Sequence, residues 1–258
     1  MPARAVNYRL RMQREEPADD RSARLVKRVM DVSLAGVALV GALPVMAVTA
    51  ALIALEDGRP VLFVQRRVGR EGRLFDMLKF RTMRENTLTI QQTGQVREDH
   101  PLVTRVGSIL RRTKIDELPQ LLNVLRGEMS LVGPRPTYPE HAATFTPFQR
   151  RRLEVPPGCT GWAQVNGGTL YTWDERIQMD VWYVDHWSLA LDLRILLRTL
   201  GVILRGERAG TAAMDEARAH AARPSTAASA TGSAVHLNGT PVPLNGTSVP
   251  LNGTPVRG

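Results

Sequence analysis

The apolar positions of the chain fall into two regimes. From Val32 to Leu55 there is no charged residue, and only Ser33 and Thr49 bring hydroxyls into the run. At ~1.5 Å per residue a helix of this length reaches across the ~30 Å apolar layer of a bilayer. A helix buried in a soluble core would keep a polar face, and none is written here. Pro44 lies near the middle, where a missing N–H is expected to break the helix. Arg21, Arg24, Lys27 and Arg28 precede the run, and Arg59, Arg66, Arg67, Arg70 and Arg73 follow it. Lys and Arg gather on the cytoplasmic side of a membrane segment, so two basic flanks predict that both ends stay there. The expectation is a re-entrant helical hairpin over residues 23–56, with one transmembrane helix as the alternative.

After the run the pattern becomes one of short elements. Val61–Val64 and Leu74–Leu78 flank Val68-Gly69-Arg70-Glu71-Gly72, which predicts a β-hairpin. Leu118, Leu121, Leu122 and Leu125 recur at helical spacing before Gly127, a helix stop. Further helices are expected over Phe145–Leu153, Asp174–Trp187 and Asp192–Arg205. The last groups Arg194, Arg198 and Arg205 on one side, a basic amphipathic pattern that suits either a lipid interface or packing on the domain. From Ala209 the chain turns to Ala, Ser, Thr, Pro and Gly and closes on three Leu-Asn-Gly-Thr repeats. Gly and Pro in the repeats exclude a coiled coil, and their Asn-Gly-Thr triplets read as a by-product of the repeat. The organisation expected is a polar tail over 1–22, the membrane-inserted hairpin over 23–56, a catalytic domain over 57–208 and a disordered tail over 209–258. The fold class expected is α+β: a mostly helical, membrane-associated domain with a small β-hairpin and an N-terminal hydrophobic re-entrant helix.

Charge narrows the partners. There are 34 Lys and Arg against 25 Asp and Glu, a net charge of +9, which asks for nucleic acid, acidic lipid or a phosphorylated substrate. One cysteine, Cys159, excludes an intramolecular disulfide and fits a reducing compartment. It sits in the turn Pro156-Pro157-Gly158-Cys159-Thr160 with no His close by, so it reads as structural rather than nucleophilic. Residues 1–20 are polar and carry no secretory signal.

The densest chemistry is Thr113-Lys114-Ile115-Asp116-Glu117-Leu118-Pro119-Gln120, followed by Ser130-Leu131-Val132-Gly133-Pro134-Arg135-Pro136. Pro119 suits the first turn of a helix, which puts Asp116 and Glu117 at its positive end. Two carboxylates there are, taken alone, ordinary capping. Arg135, held between two prolines, is stiffened for bidentate phosphate binding. Lys79-Phe80-Arg81-Thr82-Met83 and Gln65-Arg66-Arg67-Val68-Gly69 add cations. Together these suit a diphosphate with a divalent ion bridging it to one or two carboxylates.

These segments, with Pro157-Gly158-Cys159-Thr160-Gly161-Trp162-Ala163-Gln164-Val165-Asn166-Gly167 and the later Asp180-Val181-Trp182-Tyr183-Val184, Trp187-Ser188-Leu189 and Leu191-Asp192-Leu193, resemble the bacterial sugar transferases. That family comprises the monotopic phosphoglycosyl transferases, or polyprenyl-phosphate hexose-1-phosphate transferases. The resemblance runs unbroken over about residues 24–208, and this chain reads as the small form of the family. One departure is Gly168, where many relatives carry Arg after Val-Asn-Gly.

The resemblance implies transfer of a sugar 1-phosphate from a UDP-sugar to a polyprenyl phosphate with release of UMP, the first membrane step of polysaccharide or glycoconjugate assembly. It implies Asp116 as a nucleophile that forms a covalent phospho-sugar adduct, with Glu117 also catalytic and holding Mg²⁺ together with Asp116. Lys79, Arg81, Arg135 and Arg67 are the implied phosphate-binding residues. Anionic lipid is a further expected partner, nucleic acid is not, and a homodimer stays open. The expected location is the cytoplasmic face of the bacterial inner membrane. Two alternatives are a glycosyltransferase that releases UDP and a non-catalytic membrane-surface module of an assembly complex. A pure lipid binder has no use for an acidic pair among cations.

Overall fold

The computed structural model describes residues 18–84, 102–206 and 208–222. Helix α1 runs from Ala18 to Asp57 with Pro44 inside it. The break expected at Pro44 is therefore absent, and one continuous helix stands where a two-armed hairpin was expected. Pro44 withholds a single hydrogen bond from the Val40 carbonyl, and the remaining backbone bonds of the 40-residue helix carry it through. One stripe of α1 packs on the rest of the molecule. Ala35 joins Phe75, Met77, Val124 and Met129, while Met46, Ala50 and Ile53 join Val61, Phe80 and Leu110. The opposite stripe leaves Val37, Val40, Leu43, Val48, Leu52 and Leu55 exposed. Residues 21–57 are long and apolar enough to cross a membrane.

The predicted hairpin is present and longer. β1 (Leu62–Val68) pairs antiparallel with β2 (Leu74–Phe80), Leu62 opposite Phe80 and Val68 opposite Leu74. The chain then forms α2 (Arg105–Thr113), a 3-10 turn at Ile115–Glu117 and α3 (Gln120–Arg126), which ends at Gly127 with φ 83°. β3 (Ser130–Val132) pairs in parallel with β4 (Gly158–Thr160). Glycine is required at that crossing, since a Cβ on Gly158 would lie 2.1 Å from the Gly133 nitrogen. Between these strands lie α4 (Pro139–Ala143), α5 (Pro147–Arg150) and a 3-10 turn at Arg151–Leu153; the last two replace the single helix expected over 145–153.

α6 (Trp162–Val165), α7 (Trp173–Asp185) and α8 (Leu189–Arg205) complete the segment read as catalytic. Thr172 caps α7 through a reciprocal bond with Glu175. Arg198 of α8 is turned inward over the Trp162 ring, at 5.4 Å, and bonds Asn166 Oδ1 at 2.8 Å. A further helix, α9 (Thr211–Ala221), lies in the stretch read as a disordered tail. Its Ala213, Met214 and Ala217 are buried in the same core as Met179, Tyr183 and Ile195. The expectation of disorder from Ala209 onward is wrong as far as Ala221. Alanine is the strongest helix former, and three apolar residues spaced along one face give the helix something to bury. The polar tail before Ala18 and the repeats after Ala222 lie outside the described residues.

Candidate active site

Three separate chain segments meet around Glu117. The first is the end of α2. Lys114 adopts a left-handed conformation, φ 60°, that reverses the chain into the 3-10 turn carrying Asp116 and Glu117. Pro119 then leads into α3, so the acidic pair precedes a helix start as the sequence predicts. The second segment is β2, which presents Lys79. The third is the loop after β3, which presents Arg135. Lys79 Nζ lies 2.9 Å and Arg135 Nη2 2.7 Å from the same oxygen, Glu117 Oε1.

The two carboxylates are thereby set apart. Burial pushes the Glu117 carboxyl up, but Arg135 and Lys79 overcome it and hold it far below the usual carboxylate range. Glu117 in turn raises Arg135 against the effect of burial. Asp116 moves the other way. Burial first, and the Glu117 charge second, raise its carboxyl, although Lys79 and Lys114 pull it down. Its Oδ1 is buried with no hydrogen-bond partner. Lys79 itself is lowered by burial and by Arg135, with Glu117 opposing.

Arg67 forms the flank of this centre. Its guanidinium lies 3.5 Å from the centroid of the Tyr138 ring and donates to the Pro136 carbonyl at 3.2 Å and to Gln65 Oε1 at 2.6 Å. Burial and the neighbouring Arg135 bring it down to about 10, still charged at neutral pH. Arg67 thus supports the loop that follows Arg135. Arg81 is not brought to the site. Its Nη2 donates to the carbonyls of Asp57 and Gly58 at 2.6 and 2.8 Å, capping the end of α1. The resemblance grouped Lys79 and Arg81 as phosphate-binding residues, but β2 ends at Phe80 and Arg81 turns to the end of α1.

Sequence reasoning missed two residues that hold the centre together. Asn123 of α3 is fully buried. Its Oδ1 accepts from Leu78 N at 3.0 Å and its Nδ2 donates to the Asp76 carbonyl at 2.8 Å. The amide completes the free edge of β2 as a third strand would, which places Lys79 against α3. Arg152 is buried too, and its Nη2 donates to the Arg135 carbonyl at 2.9 Å and to Asp180 Oδ2 at 2.6 Å. Neither has a local signal: Asn123 lies among leucines, and Arg152 ends the run Arg150-Arg151-Arg152 that reads as solvated. The Cys159 thiol, near this centre, is pushed up to about 12 by burial and then by Glu117.

The geometry is that of an anion site with one carboxylate neutralised and its neighbour unpaired. The family model described as bacterial sugar transferase matches residues 22–206. The chain belongs to the bacterial sugar transferase family. Its members include the relatives to which this chain is similar. One is the uncharacterized sugar transferase EpsL of Bacillus subtilis (strain 168), 43% identical over 183 residues, covering 71% of this chain and 89% of that protein. Another is the UDP-N-acetylgalactosamine-undecaprenyl-phosphate N-acetylgalactosaminephosphotransferase of Aeromonas hydrophila, 43% identical over 70% of this chain and 44% of the relative. A third is the UDP-glucose:undecaprenyl-phosphate glucose-1-phosphate transferase of Escherichia coli (strain K12), 40% identical over 69% of this chain and 40% of that enzyme. The matched region thus spans most of EpsL and less than half of the other two. As a bacterial sugar transferase the protein is an enzyme of the phosphoglycosyl transferase class. All the residues gathered around Glu117 fall inside the matched segment, whereas α9 lies beyond it.

Proposed function

We propose that the protein transfers a sugar 1-phosphate from a UDP-sugar to a polyprenyl phosphate at the cytoplasmic face of the bacterial inner membrane. The observation that carries this reading is the division of the acidic pair. A carboxylate locked by two cations orders charge, while a buried carboxylate with an unpaired oxygen is suited to attack. A carboxylate oxygen of Asp116 attacks the sugar-proximal phosphorus of the donor. The bond from that phosphorus to the bridging oxygen breaks, and the oxygen leaves on UMP. An oxygen of polyprenyl phosphate then attacks the same phosphorus and frees the Asp116 carboxylate. Arg135 and Lys79, fixed by Glu117, neutralise charge that grows on the phosphate oxygens. The activities named for the Aeromonas and Escherichia relatives support a UDP-sugar donor and an undecaprenyl-phosphate acceptor.

Mg²⁺ belongs to the same proposal. Among the described residues no group of three or more His, Cys, Asp or Glu could hold a metal. The unpaired Oδ1 of Asp116 fits one ligand position. Glu117 Oε1 is taken by Lys79 and Arg135, so Glu117 would join only through its other oxygen. Two carboxylates are what Mg²⁺ commonly takes when substrate phosphates and waters complete its shell, and bound there it supplies counter-charge to the diphosphate.

The test is product and adduct analysis on the purified full chain, with a panel of UDP-sugars and a polyprenyl phosphate. UMP release, and a sugar-phosphate mass added to the wild type but not to Asp116→Asn when acceptor is withheld, are the expected results. EDTA should stop turnover and Mg²⁺ restore it. UDP as the product, or near-normal UMP release by Asp116→Asn, would overturn the mechanism.

A further inference from the structure

Helix α1 reaches, through polar side chains, the elements that carry the centre. Arg28 Nη1 donates to the Val124 carbonyl at 2.6 Å and Nη2 to the Leu125 carbonyl at 3.0 Å, the last turn of α3. One residue earlier, Lys27 Nζ donates to the Val132 carbonyl of β3 at 3.2 Å and to Asp192 Oδ2 at 2.6 Å. One turn later, Asp31 Oδ1 accepts from Leu131 N at 3.1 Å. α3 follows directly from the turn that bears Asp116 and Glu117, and β3 runs directly into the loop that bears Arg135. Three residues of one helical turn therefore grip both halves of the constellation. At the far end of α1, Glu56 accepts from Arg105 N and Val106 N at 2.8 and 2.9 Å, and Arg81 joins Asp57 to the end of β2. Those contacts reach α2, which leads to Asp116, and β2, which bears Lys79.

The N-terminal grip is buried and polar where an apolar contact would serve for adhesion alone. Lys27, Asp31, Tyr183 and Asp192 are 8%, 3%, 1% and 0% exposed. Asp192 is completed by Tyr183 OH at 2.6 Å and Trp187 Nε1 at 3.2 Å. Replacing such a network by hydrocarbon is often neutral for stability, but hydrocarbon contacts lack direction. α1 is an otherwise apolar rod that could turn or slide against an apolar bed. Hydrogen bonds to chosen carbonyls and amides allow one rotation and one register.

We propose that Arg28 and the pair Lys27 and Asp31 are positioning residues, which fix the acidic pair just before α3 against Arg135 after β3 so that the anchor helix sets the geometry of the site. The inference rests on the proposed reading of the reaction. Displacement of reacting groups by ~1 Å costs up to about a hundredfold in rate, so a small loss of register is expected to be felt in turnover.

The experiment uses the purified full chain in lipid nanodiscs, with UMP release as the assay and thermal unfolding as the control. Arg28→Ala leaves the α3 carbonyls to water and should fold. It is expected to lower kcat by about ten- to a hundredfold, with KM for the UDP-sugar held within about twofold. Its unfolding midpoint should stay within about 4 °C of wild type. Arg28→Lys, which keeps a donor for the same carbonyls, should recover most of the rate. Lys27→Met would strand Asp192 in the core and is a poor probe. Asp31 gives the second arm: Asp31→Asn retains an acceptor for Leu131 N and should stay near wild type, while Asp31→Leu should lose kcat. Wild-type kcat in Arg28→Ala and Asp31→Leu would overturn the proposal. So would a loss that follows the unfolded fraction and is not rescued by Arg28→Lys. A wild type that releases UDP instead of UMP sinks the functional reading, and the same kcat comparison is then made on that reaction.

Discussion

Asp116 and Glu117 are neighbours in sequence with opposite electrostatic surroundings, and this gives the residue scale its first prediction. The proposed nucleophile must be ionised. Burial and the Glu117 charge hold the Asp116 carboxyl above its ordinary value of 3.8, so activity is lost on acidification sooner than for an unperturbed aspartate. Glu117→Gln removes the anion that raises Asp116 and frees Lys79, which lowers it. Both changes act in one direction, so the acid limb of kcat/KM should move to lower pH. A limb that stays in place or rises would mean that Asp116 is not the group titrating. Arg81 and Lys79 give a contrasting pair. Arg81→Ala should cost about 1–3 kcal/mol in denaturant unfolding, the range for hydrogen bonds made by a charged group, with a smaller loss of kcat per folded molecule than Lys79→Met. Lys79→Met should lose turnover with much less loss of stability. The sequence revealed Asp116, Glu117, Lys79 and Arg135 because they stand in dense motifs. It hid Asn123, whose partner Leu78 lies 45 positions away, because long-range hydrogen bonds leave no periodic trace. It misplaced Arg81 because a dense basic motif does not say which of its cations faces the acidic pair and which turns to the end of α1.

At the scale of elements, apolar periodicity foretold the hairpin, α3, α7 and α8 to within a few residues. It failed for β3 and β4, which are three residues each and held by glycine contacts rather than by a pattern. It failed also for α9, whose Ala-rich composition resembles a linker. Arg218 Nη2 pairs with Glu175 Oε1 and His220 Nε2 with Asp185 Oδ2, both of α7, at 2.5 Å. These partly exposed polar contacts orient the helix, and burial of Met214 holds it. A chain ending at Ala209 should therefore unfold at a lower temperature or precipitate, while one ending at Ala222 should keep the wild-type midpoint. Met214→Ala should cost about 2–5 kcal/mol in the full chain. Equal midpoints for the two truncations would show that α9 contributes nothing to the fold.

At the scale of the whole molecule the question is how α1 meets the bilayer. Its exposed stripe from Val37 to Leu55 asks for lipid, yet both ends are tied to the same domain: Lys27 and Asp31 to β3, Glu56 and Asp57 to α2 and β2. A straight span would carry one of those ends to the far side, stranding a buried network or the capped start of α2 in an environment that cannot replace it. The polar contacts and the two basic flanks therefore agree on both ends of α1 lying on one side of the bilayer, although the expected break at Pro44 is absent. Single cysteines at Ser22 and at Glu216, in a Cys159→Ser background, provide the test with a membrane-impermeant thiol reagent applied to intact cells. Protection at both positions is the expected outcome, with labelling of both only after lysis. Labelling at Ser22 alone in intact cells would mean that α1 spans the bilayer. The Lys27, Arg28 and Asp31 contacts would then have to be broken in the membrane-bound enzyme, and Arg28→Ala would leave kcat unchanged there. Topology and turnover are thus linked through one helical turn, and measuring either constrains the other.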